Sequence, residues 1–312
     1  MLLEREIGYE KETGRYKIGD GITKWNELPY AGVGAVDASG KGEILGDYTG
    51  NRATEQYSIA LGSKTKAEGF SALAEGYNTK ATGKHSHTEG WLTEAKESET
   101  HAEGYLTKAE GRRSHAEGNN TKSIGDTSHA EGYFTTANAP FSHTEGHRTQ
   151  TYGINSHSEG HITEALGAHS HAEGLYSQAS GSAAHAEGLG TMATWPHAHA
   201  EGGYTAAKQH SAHAEGSYTK AMGHSSHAEG WYSEAIGEYS HAEGNETYAE
   251  GPFSHAEGSG TITQGSGAHA EGTGTQALGN HSHAEGNKTV ASGAYAHAEG
   301  ASSIAEGNIS HA

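Results

Sequence analysis

Small, apolar and polar residues recur along most of this chain with a single period of 14 residues, from near Ser58 to Ala312, without insertion or deletion. We number each coil from its histidine, so that Ser-His-Ala-Glu-Gly occupies positions 14, 1, 2, 3 and 4. An unbroken repeat of this length is typical of a solenoid, in which each coil stacks on the previous one and no loop can be inserted. The pattern therefore predicts a β-solenoid (β-roll) of 14-residue coils.

Two glycines, seven residues apart, divide each coil. Position 4 is Gly in all 18 coils from Gly62 to Gly300, and position 11 is Gly in 14 of the 18. Because tight turns often need a positive φ, which Gly adopts at low cost, we expect both glycines to mark corners. Two short strands remain, for example Ser86 to Glu89 and Thr93 to Lys96, which makes the coil all-β.

Strand side chains alternate between two faces, so His115 and Glu117 share one face, and Ser114 and Ala116 share the other. Either set fits the interior of the coil by pattern alone. A 14-residue coil is thin, which favours the small residues inside and the larger histidine and glutamate toward the axis of an oligomer. Since every coil leaves this second face without a neighbour, we expect a parallel homotrimer along a rod.

Composition and charge exclude several classes of protein. The 47 Gly and the hydrophobic fraction of 32% would suggest disorder, but a fixed register over 18 coils argues for folded structure. With no Cys, the chain has no disulfide framework. Twenty basic against 39 acidic residues exclude nucleic acid as a partner, and no apolar run is long enough for membrane insertion. The segment from Met1 to Glu6 is too short and too acidic for a signal peptide.

Position 3 is Glu in 17 coils from Glu75 to Glu299, and position 1 is His in 17 coils from His87 to His311. Carboxylates stacked about 5 Å apart repel by roughly 3 kcal/mol per pair at an effective dielectric constant near 20, so a stacked row needs compensation. We expect the histidines to supply it in a structural ladder, and we expect this pairing to raise the histidine pKa. The ladder is represented by His87, Glu89, His101, Glu103, His115, Glu117, His129, Glu131, His227 and Glu229.

His-x-His pairs offer a second chemistry. In a trimer each pair would bring six imidazoles together, enough for a transition metal on the trimer axis. The alternative, which the sequence favours, is that the first imidazole of each pair is solvated in a turn, so no cofactor is expected. The pairs are His85 and His87, His169 and His171, His197 and His199, and His281 and His283. Because the chain lacks a His-Glu-x-x-His motif, a phosphate loop and a Gly-x-Ser-x-Gly elbow, we predict that it is not an enzyme.

Aromatic residues gather just after the position-4 glycine. Stacked corners would place them in an exposed strip that binds sugar faces or another protein, or that stacks on itself as a structural ladder. These residues are Tyr77, Trp91, Tyr105, Tyr133, Tyr204, Tyr218, Trp231 and Tyr232.

The run from Ser58 to Gly62, Ser-Ile-Ala-Leu-Gly, resembles the Ser-Val-Ala-Ile-Gly head repeat of YadA-like trimeric autotransporter adhesins. The resemblance covers residues 58–312 and implies a left-handed parallel β-roll, a homotrimer and adhesive surfaces. Later coils depart from that family by placing His and Glu where it has Val and Ile.

The first 32 residues resemble the short N-terminal module of bacteriophage tail-fibre and baseplate proteins. The resemblance rests on residues 6–10, on Lys17 to Gly21 followed by Thr23 and Trp25, and on residues 28–30. The segment predicts a small β-hairpin that trimerises with the coils. Its expected turns are Thr13-Gly14 and Asp20-Gly21. Its expected buried side chains are Tyr16, Ile18, Trp25 and Leu28.

These observations predict three segments: a tail-fibre-like β module at residues 1–32, a Gly-rich linker with an imperfect first coil at 33–57, and the repeat region at 58–312. The function that they favour is a structural and adhesive component of a phage or prophage tail fibre. Its partners would be further copies of itself, phage tail or baseplate proteins, and a glycan or protein of the host surface. The first alternative is a bacterial trimeric adhesin at the cell surface, and the second is a histidine-rich metal-binding scaffold.

Overall fold

The structure is a computed structural model, which describes residues 3–10, 15–19, 21–27, 30–31, 35–36, 42–43 and 50–312. All regular structure in these residues is β. Among them, no helix is long and apolar enough to cross a membrane. The chain divides into two compact units, Met1–Phe141 and Ser142–Ala312. Each unit contains a parallel β-solenoid of 14-residue coils, which confirms the predicted fold class.

The N-terminal residues form a small antiparallel sheet. Strand β1 (Ile7–Glu10) pairs with β2 (Arg15–Ile18), and β2 pairs with β3 (Tyr30–Ala31). Lys17 is buried beneath the following turn, where its Nζ donates a 2.7 Å hydrogen bond to the carbonyl of Trp25 and lies 5.2 Å from the centre of the Trp25 ring. The predicted hairpin is therefore confirmed.

Burial in this sheet differs from the prediction. Ile18 is 46% exposed, and Ile7 directly opposite it is 66% exposed, because a sheet of three short strands covers little of its own surface. Trp25 is half-buried. The predicted turn at Thr13-Gly14, Asp20 of the second turn, and the side chains of Tyr16 and Leu28 lie outside the described residues.

Two short strands lead into the solenoid. Strand β4 (Ala35–Val36) pairs in antiparallel fashion with β5 (Gly42–Glu43). Strand β5 then pairs in parallel with the first long strand of the coils, Ile59–Ser63.

An imperfect first coil begins at Asn51. Asn51 takes the place of the position-7 threonine: its Oδ1 accepts a 3.0 Å hydrogen bond from the backbone N–H of Thr65, and its Nδ2 donates to the carbonyl of Gly62 at 2.6 Å. Strand β6 (Arg52–Ala53) pairs in parallel with Lys66–Ala67. Asn51 thus satisfies backbone groups that the start of the stack would otherwise leave open.

Each complete coil has a long strand at positions 1 to 5 and a short strand at positions 8 and 9. In the first unit the long strands are Ile59–Ser63, Leu73–Tyr77, His87–Trp91, His101–Tyr105, His115–Asn119 and His129–Tyr133, and the short strands are Lys66–Ala67, Lys80–Ala81, Glu94–Ala95, Lys108–Ala109, Lys122–Ser123 and Thr136–Ala137.

The second unit repeats this arrangement. Its long-strand positions are His143–His147, His157–His161, His171–Leu175, His185–Leu189, His199–Gly203, His213–Ser217, His227–Trp231, His241–Asn245, His255–Ser259, His269–Thr273, His283–Asn287 and the shorter His297–Ala298. Its short strands are Gln150–Thr151, Glu164–Ala165, Gln178–Ala179, Met192–Ala193, Ala206–Ala207, Lys220–Ala221, Glu234–Ala235, Tyr248–Ala249, Ile262–Thr263, Gln276–Ala277, Val290–Ala291 and Ile304–Ala305.

Within each unit, a strand pairs in parallel with the equivalent strand one coil later, so residues of the same phase lie side by side. His101 pairs with His115, and the corner residue Asn120 donates its N–H to the carbonyl of Tyr105 at 2.8 Å. Corners as well as strands are therefore held by backbone hydrogen bonds between coils. This pairing turns a repeat in sequence into rows of identical side chains.

The interior of each coil contains the small residues. Ala102 and Thr107 are fully buried, and Ser128, which is 2% exposed, donates its hydroxyl to the carbonyl of Gly125 at 2.6 Å. The same hydrogen bond from position 14 to position 11 recurs at Ser156 and Ser240. Of the two arrangements that the alternation allows, the structure has the small set inside and the histidine and glutamate outside.

The two glycines have different roles, and the prediction that both supply a positive φ is half wrong. Gly118 at position 4 has φ +108°, whereas Gly111 at position 11 does not have a positive φ. Gly111 instead gives room for close stacking, because a Cβ there would overlap the carbonyl oxygen of Gly125 in the next coil. Most of the left-handed residues at corner positions 6 and 13 are non-glycine, such as Arg113 (φ 55°) and Asn120 (φ 56°).

Adjacent glycines in one coil test this close stacking. A Cβ at Gly202 would overlap the carbonyl oxygen of Gly216, and its φ is +110°, whereas a Cβ at Gly203 would meet only the Ser217 Oγ at 3.7 Å. Gly202→Ala should lower the free energy of unfolding by about 3 kcal/mol because it adds overlap to backbone strain. Gly203→Ala should stay within about 0.5 kcal/mol of the parent chain. Denaturant unfolding of both variants measures the difference, and equal stabilities would contradict the stacking.

Candidate functional site

The outer face of the long strands contains the predicted ladder of histidine and glutamate. In each coil the two side chains lie on either side of a fully buried alanine, threonine or serine, such as Ala116 between His115 and Glu117. The side chains of His115 and Glu117 are 34% and 45% exposed within the single chain. The face is thus half-covered by its own neighbours and still open to a partner.

Two kinds of contact build the ladder. Along the stack, imidazole rings of successive coils lie face to face, as for His213 and His227 with centroids 4.7 Å apart and planes 1° apart. Within a coil, the histidine Nε2 lies near the glutamate Oε2 two residues later, at 3.7 Å for His213 and Glu215. The same approach, at 3.4–4.0 Å, occurs at His101, His115, His129, His143, His157, His171, His185, His199, His227, His241, His255 and His283.

Near the beginning and end of the repeat region, the imidazole reaches back to the glutamate of the preceding coil. His87 Nε2 lies 3.4 Å from Glu75 Oε2, and His297 Nε2 lies 3.7 Å from Glu285 Oε1. Small side-chain rotations would therefore allow an imidazole to approach either the carboxylate of its own coil or that of the neighbouring coil.

The electrostatics of the ladder overturn one prediction. Burial is the largest cause that lowers the pKa of these histidines, and the charge of the neighbouring imidazoles is the next. Together these two causes outweigh the nearby carboxylates, which raise the histidine pKa. The prediction that pairing raises the histidine pKa is wrong because the stack removes each ring from water and sets it against other rings. The residues whose pKa is lowered in this way are His101, His115, His213, His241, His269 and His283.

Many ladder nitrogens are also buried without a hydrogen bond. Their contacts with glutamate are ion-pair distances without hydrogen-bond geometry, which leaves the nitrogen lone pair or N–H unsatisfied at the centre of the ladder. This holds for the Nε2 atoms of His101, His115, His157, His171, His199, His213, His227, His241, His255, His269, His283 and His297.

Three groups of ladder side chains could hold a metal ion. In each group, three ligand atoms lie within 4.8 Å of one another. Within the described part of the chain, none of these groups contains both members of a His-x-His pair. The groups are His241, Glu243 and His255; His297, Glu299 and His311; and Glu75, His87 and Glu89.

The His-x-His pairs divide between two surfaces. The second histidine of each pair, His87, His171, His199 or His283, lies in the ladder, and the first is an exposed corner residue. Two of these corner imidazoles pack on aromatic rings: His85 lies 5.5 Å from Phe70, and His281 stacks on Tyr295 at 5.2 Å. The remaining first members, His169 and His197, adopt the same left-handed corner conformation.

The predicted aromatic strip is present as exposed rings in two phases. Tyr77, Trp91 and Tyr105 at position 5 make edge contacts at 5.1 and 6.0 Å. Tyr204, Tyr218 and Tyr232 at position 6 stack face to face at 5.1 and 4.7 Å. The other two members of the predicted strip contact adjacent rings: Tyr133 contacts Phe134, and Trp231 contacts Tyr232.

A second aromatic strip, at the opposite corner, was missed by the sequence analysis. Tyr239 stacks on Phe253 at 5.1 Å, and Tyr57 contacts Phe70 at 5.6 Å. The signal that could have found it is the recurrence of Tyr, Phe and His at positions 12 and 13, where position 13 includes the first histidine of every His-x-His pair.

Comparison with known proteins finds one family. The profile of the YadA head domain repeat matches two copies, at residues 53–79 and 284–308. No curated protein sequence matches the chain significantly. The chain thus contains YadA-like head repeats near both ends of its coil region.

The lowered histidine pKa values give a pH dependence of stability. Between the lowered folded pKa and the unfolded value of about 6.5, the unfolded chain binds more protons than the folded chain. The free energy of unfolding should therefore be highest above pH 6.5 and should fall as the pH decreases below it. Thermal melts from about pH 8 to 5 in EDTA measure this fall.

A variant in the ladder and a variant at a corner show whether the pH dependence arises from the ladder histidines or from histidines elsewhere. His213→Leu, which places in the ladder the residue that Leu73 already provides at this phase, should make the fall shallower, because it removes one of the six ladder histidines whose pKa is lowered. His224→Leu, at an exposed corner, should leave the profile unchanged. Stability that increases on acidification from pH 7 to 5.5 would contradict the ladder electrostatics.

Proposed function

We propose that this chain is a structural and adhesive component of a phage or prophage tail fibre and that it works as a homotrimer. The observation that carries the proposal is the outer face of the long strands, where a half-exposed histidine and glutamate recur in register throughout each unit. Buried Nε2 atoms in this row lack hydrogen-bond partners within the single chain, and another copy of the same row, with its own carboxylates, is the simplest neighbour that could supply them.

The N-terminal sheet supports an assembled state. Ile7, Tyr9 and Ile18 are 66%, 67% and 46% exposed, which is a large apolar surface for so small a sheet. Contacts with other copies or with a tail component would cover it. We assign residues 1–32 to an attachment module, 33–57 to a linker with the first coil, and 58–312 to the adhesive coil region.

The tail-fibre assignment rests on the N-terminal resemblance, carried by Lys17 to Gly21 and Trp25. The YadA head repeats support adhesion, and they are equally consistent with a bacterial trimeric adhesin at the cell surface. In both assignments the exposed aromatic corners, such as Tyr204 and Tyr218, are the surfaces that we propose for contact with a host glycan or protein. Neither assignment gives the chain a catalytic role.

Light scattering on the purified full chain tests the trimer. The account predicts a mass three times the chain mass of 32.5 kDa. The double variant Glu201→Arg with Glu215→Arg should shift the mass toward that of one chain. At acidic pH the new arginines repel the protonated ladder imidazoles, and at any pH they reverse the charge of two side chains on the face that the partner chain contacts.

The matched control has the same change in net charge away from the ladder. Glu238 and Glu246 lie at exposed corners, so Glu238→Arg with Glu246→Arg should keep the parent mass. A parent chain that is monomeric at micromolar concentration would overturn the trimer.

Gold labelling through this chain then separates the two locations, since label on phage tails supports the fibre and label on bacterial surfaces alone supports the adhesin.

A further inference from the structure

One ligand cluster in the ladder is composed of His241, Glu243 and His255. One ligand atom from each side chain lies within 4.8 Å of the other two. The two rings stack with centroids 4.7 Å apart and planes 2° apart, and Glu243 Oε2 lies 3.8 Å from His241 Nε2. The backbone pairing of consecutive long strands fixes this spacing, because His241 and His255 are partners in register.

The nitrogen atoms at this cluster have unused bonding capacity. The Nε2 atoms of His241 and His255 are both buried, and neither has a hydrogen-bond partner. Buried polar atoms in folded proteins are usually satisfied, and a bound ion is one way in which an unsatisfied pair becomes satisfied. A neutral imidazole can present this nitrogen as a metal ligand.

Two imidazoles and one carboxylate form a ligand set that suits zinc and leave the fourth tetrahedral position for water. Metal–ligand bonds of about 2.1 Å place ligand atoms about 3.4 Å apart. The present separations of up to 4.8 Å need to shrink by at most about 1.4 Å, and the two parallel rings need to tilt so that both Nε2 lone pairs point at the ion. Rotation about the side-chain bonds on a half-exposed face can provide both changes.

We propose that His241, Glu243 and His255 form a Zn²⁺ site within a single chain. The site differs from the His-x-His arrangement because its ligands come from position 1 of two consecutive coils and position 3 of the first. The same phases converge at His297, Glu299 and His311, which provide a second site of this kind. Neither site depends on the trimer or on the adhesive role, because all its ligands belong to one chain.

Zinc binding to the full chain tests the proposal. Protein purified without a metal-affinity column is treated with EDTA, dialysed into metal-free buffer and equilibrated with micromolar ZnCl₂, and bound zinc is measured by mass spectrometry. The parent chain should bind about two equivalents. His241→Leu with His255→Leu should bind one equivalent fewer, and Glu243→Gln should weaken zinc binding at this site by at least tenfold.

The matched control replaces two histidines that are also one coil apart but lie at a corner. His210→Leu with His224→Leu should bind zinc as the parent does. The ladder variant should fold, since Leu73 occupies the same phase; if it does not fold, Glu243→Gln alone decides. A parent chain that binds no zinc, or variants at His241, Glu243 and His255 that bind as much as the parent, would overturn the site.

Discussion

Close stacking of one coil on the next is the constraint on which the rest of this structure depends. Backbone hydrogen bonds join each coil to the next in strands and corners alike, and the backbones approach so closely at Gly111 and Gly118 that a Cβ would overlap the next coil. The same closeness leaves room inside only for alanine, serine and threonine. An interior of this size buries little apolar surface per coil, so regular hydrogen bonding over many coils has to supply much of the cohesion.

Because the interior is filled by small residues, the chemistry of the chain lies on its outer faces. The ladder places imidazoles and carboxylates in two adjacent rows, with parallel rings whose centroids lie 4.7 Å apart and with nitrogens removed from water. The lowered histidine pKa follows from this arrangement, and so does the availability of the nitrogens for a partner chain or a metal ion. Repetition thus turns one His-x-Glu tripeptide pattern into an extended surface with properties that no single coil has.

Much of this could be predicted from the sequence. The 14-residue period gave the solenoid, and the thinness of the coil favoured Ala116 inside and His115 outside. The left-handed corner residues could not all be predicted, since Arg113 and Phe134 have no preference of their own for positive φ and adopt it under the hydrogen bonding of the stack. The direction of the histidine pKa also needed the structure, because burial and carboxylates act in opposite directions and only geometry shows which is larger. The predicted burial of Ile18 assumes that its sheet packs against other copies of the chain, and the sheet of a single chain leaves this side chain exposed.

The most direct test of the account is a density map at side-chain resolution of one coil in the assembled protein. The account predicts that Ala228 and Ser233 are enclosed within the coil, and that His227 and Glu229 lie on its outer face beside their equivalents one coil away. A map in which the coil encloses His227 and Glu229 would contradict it.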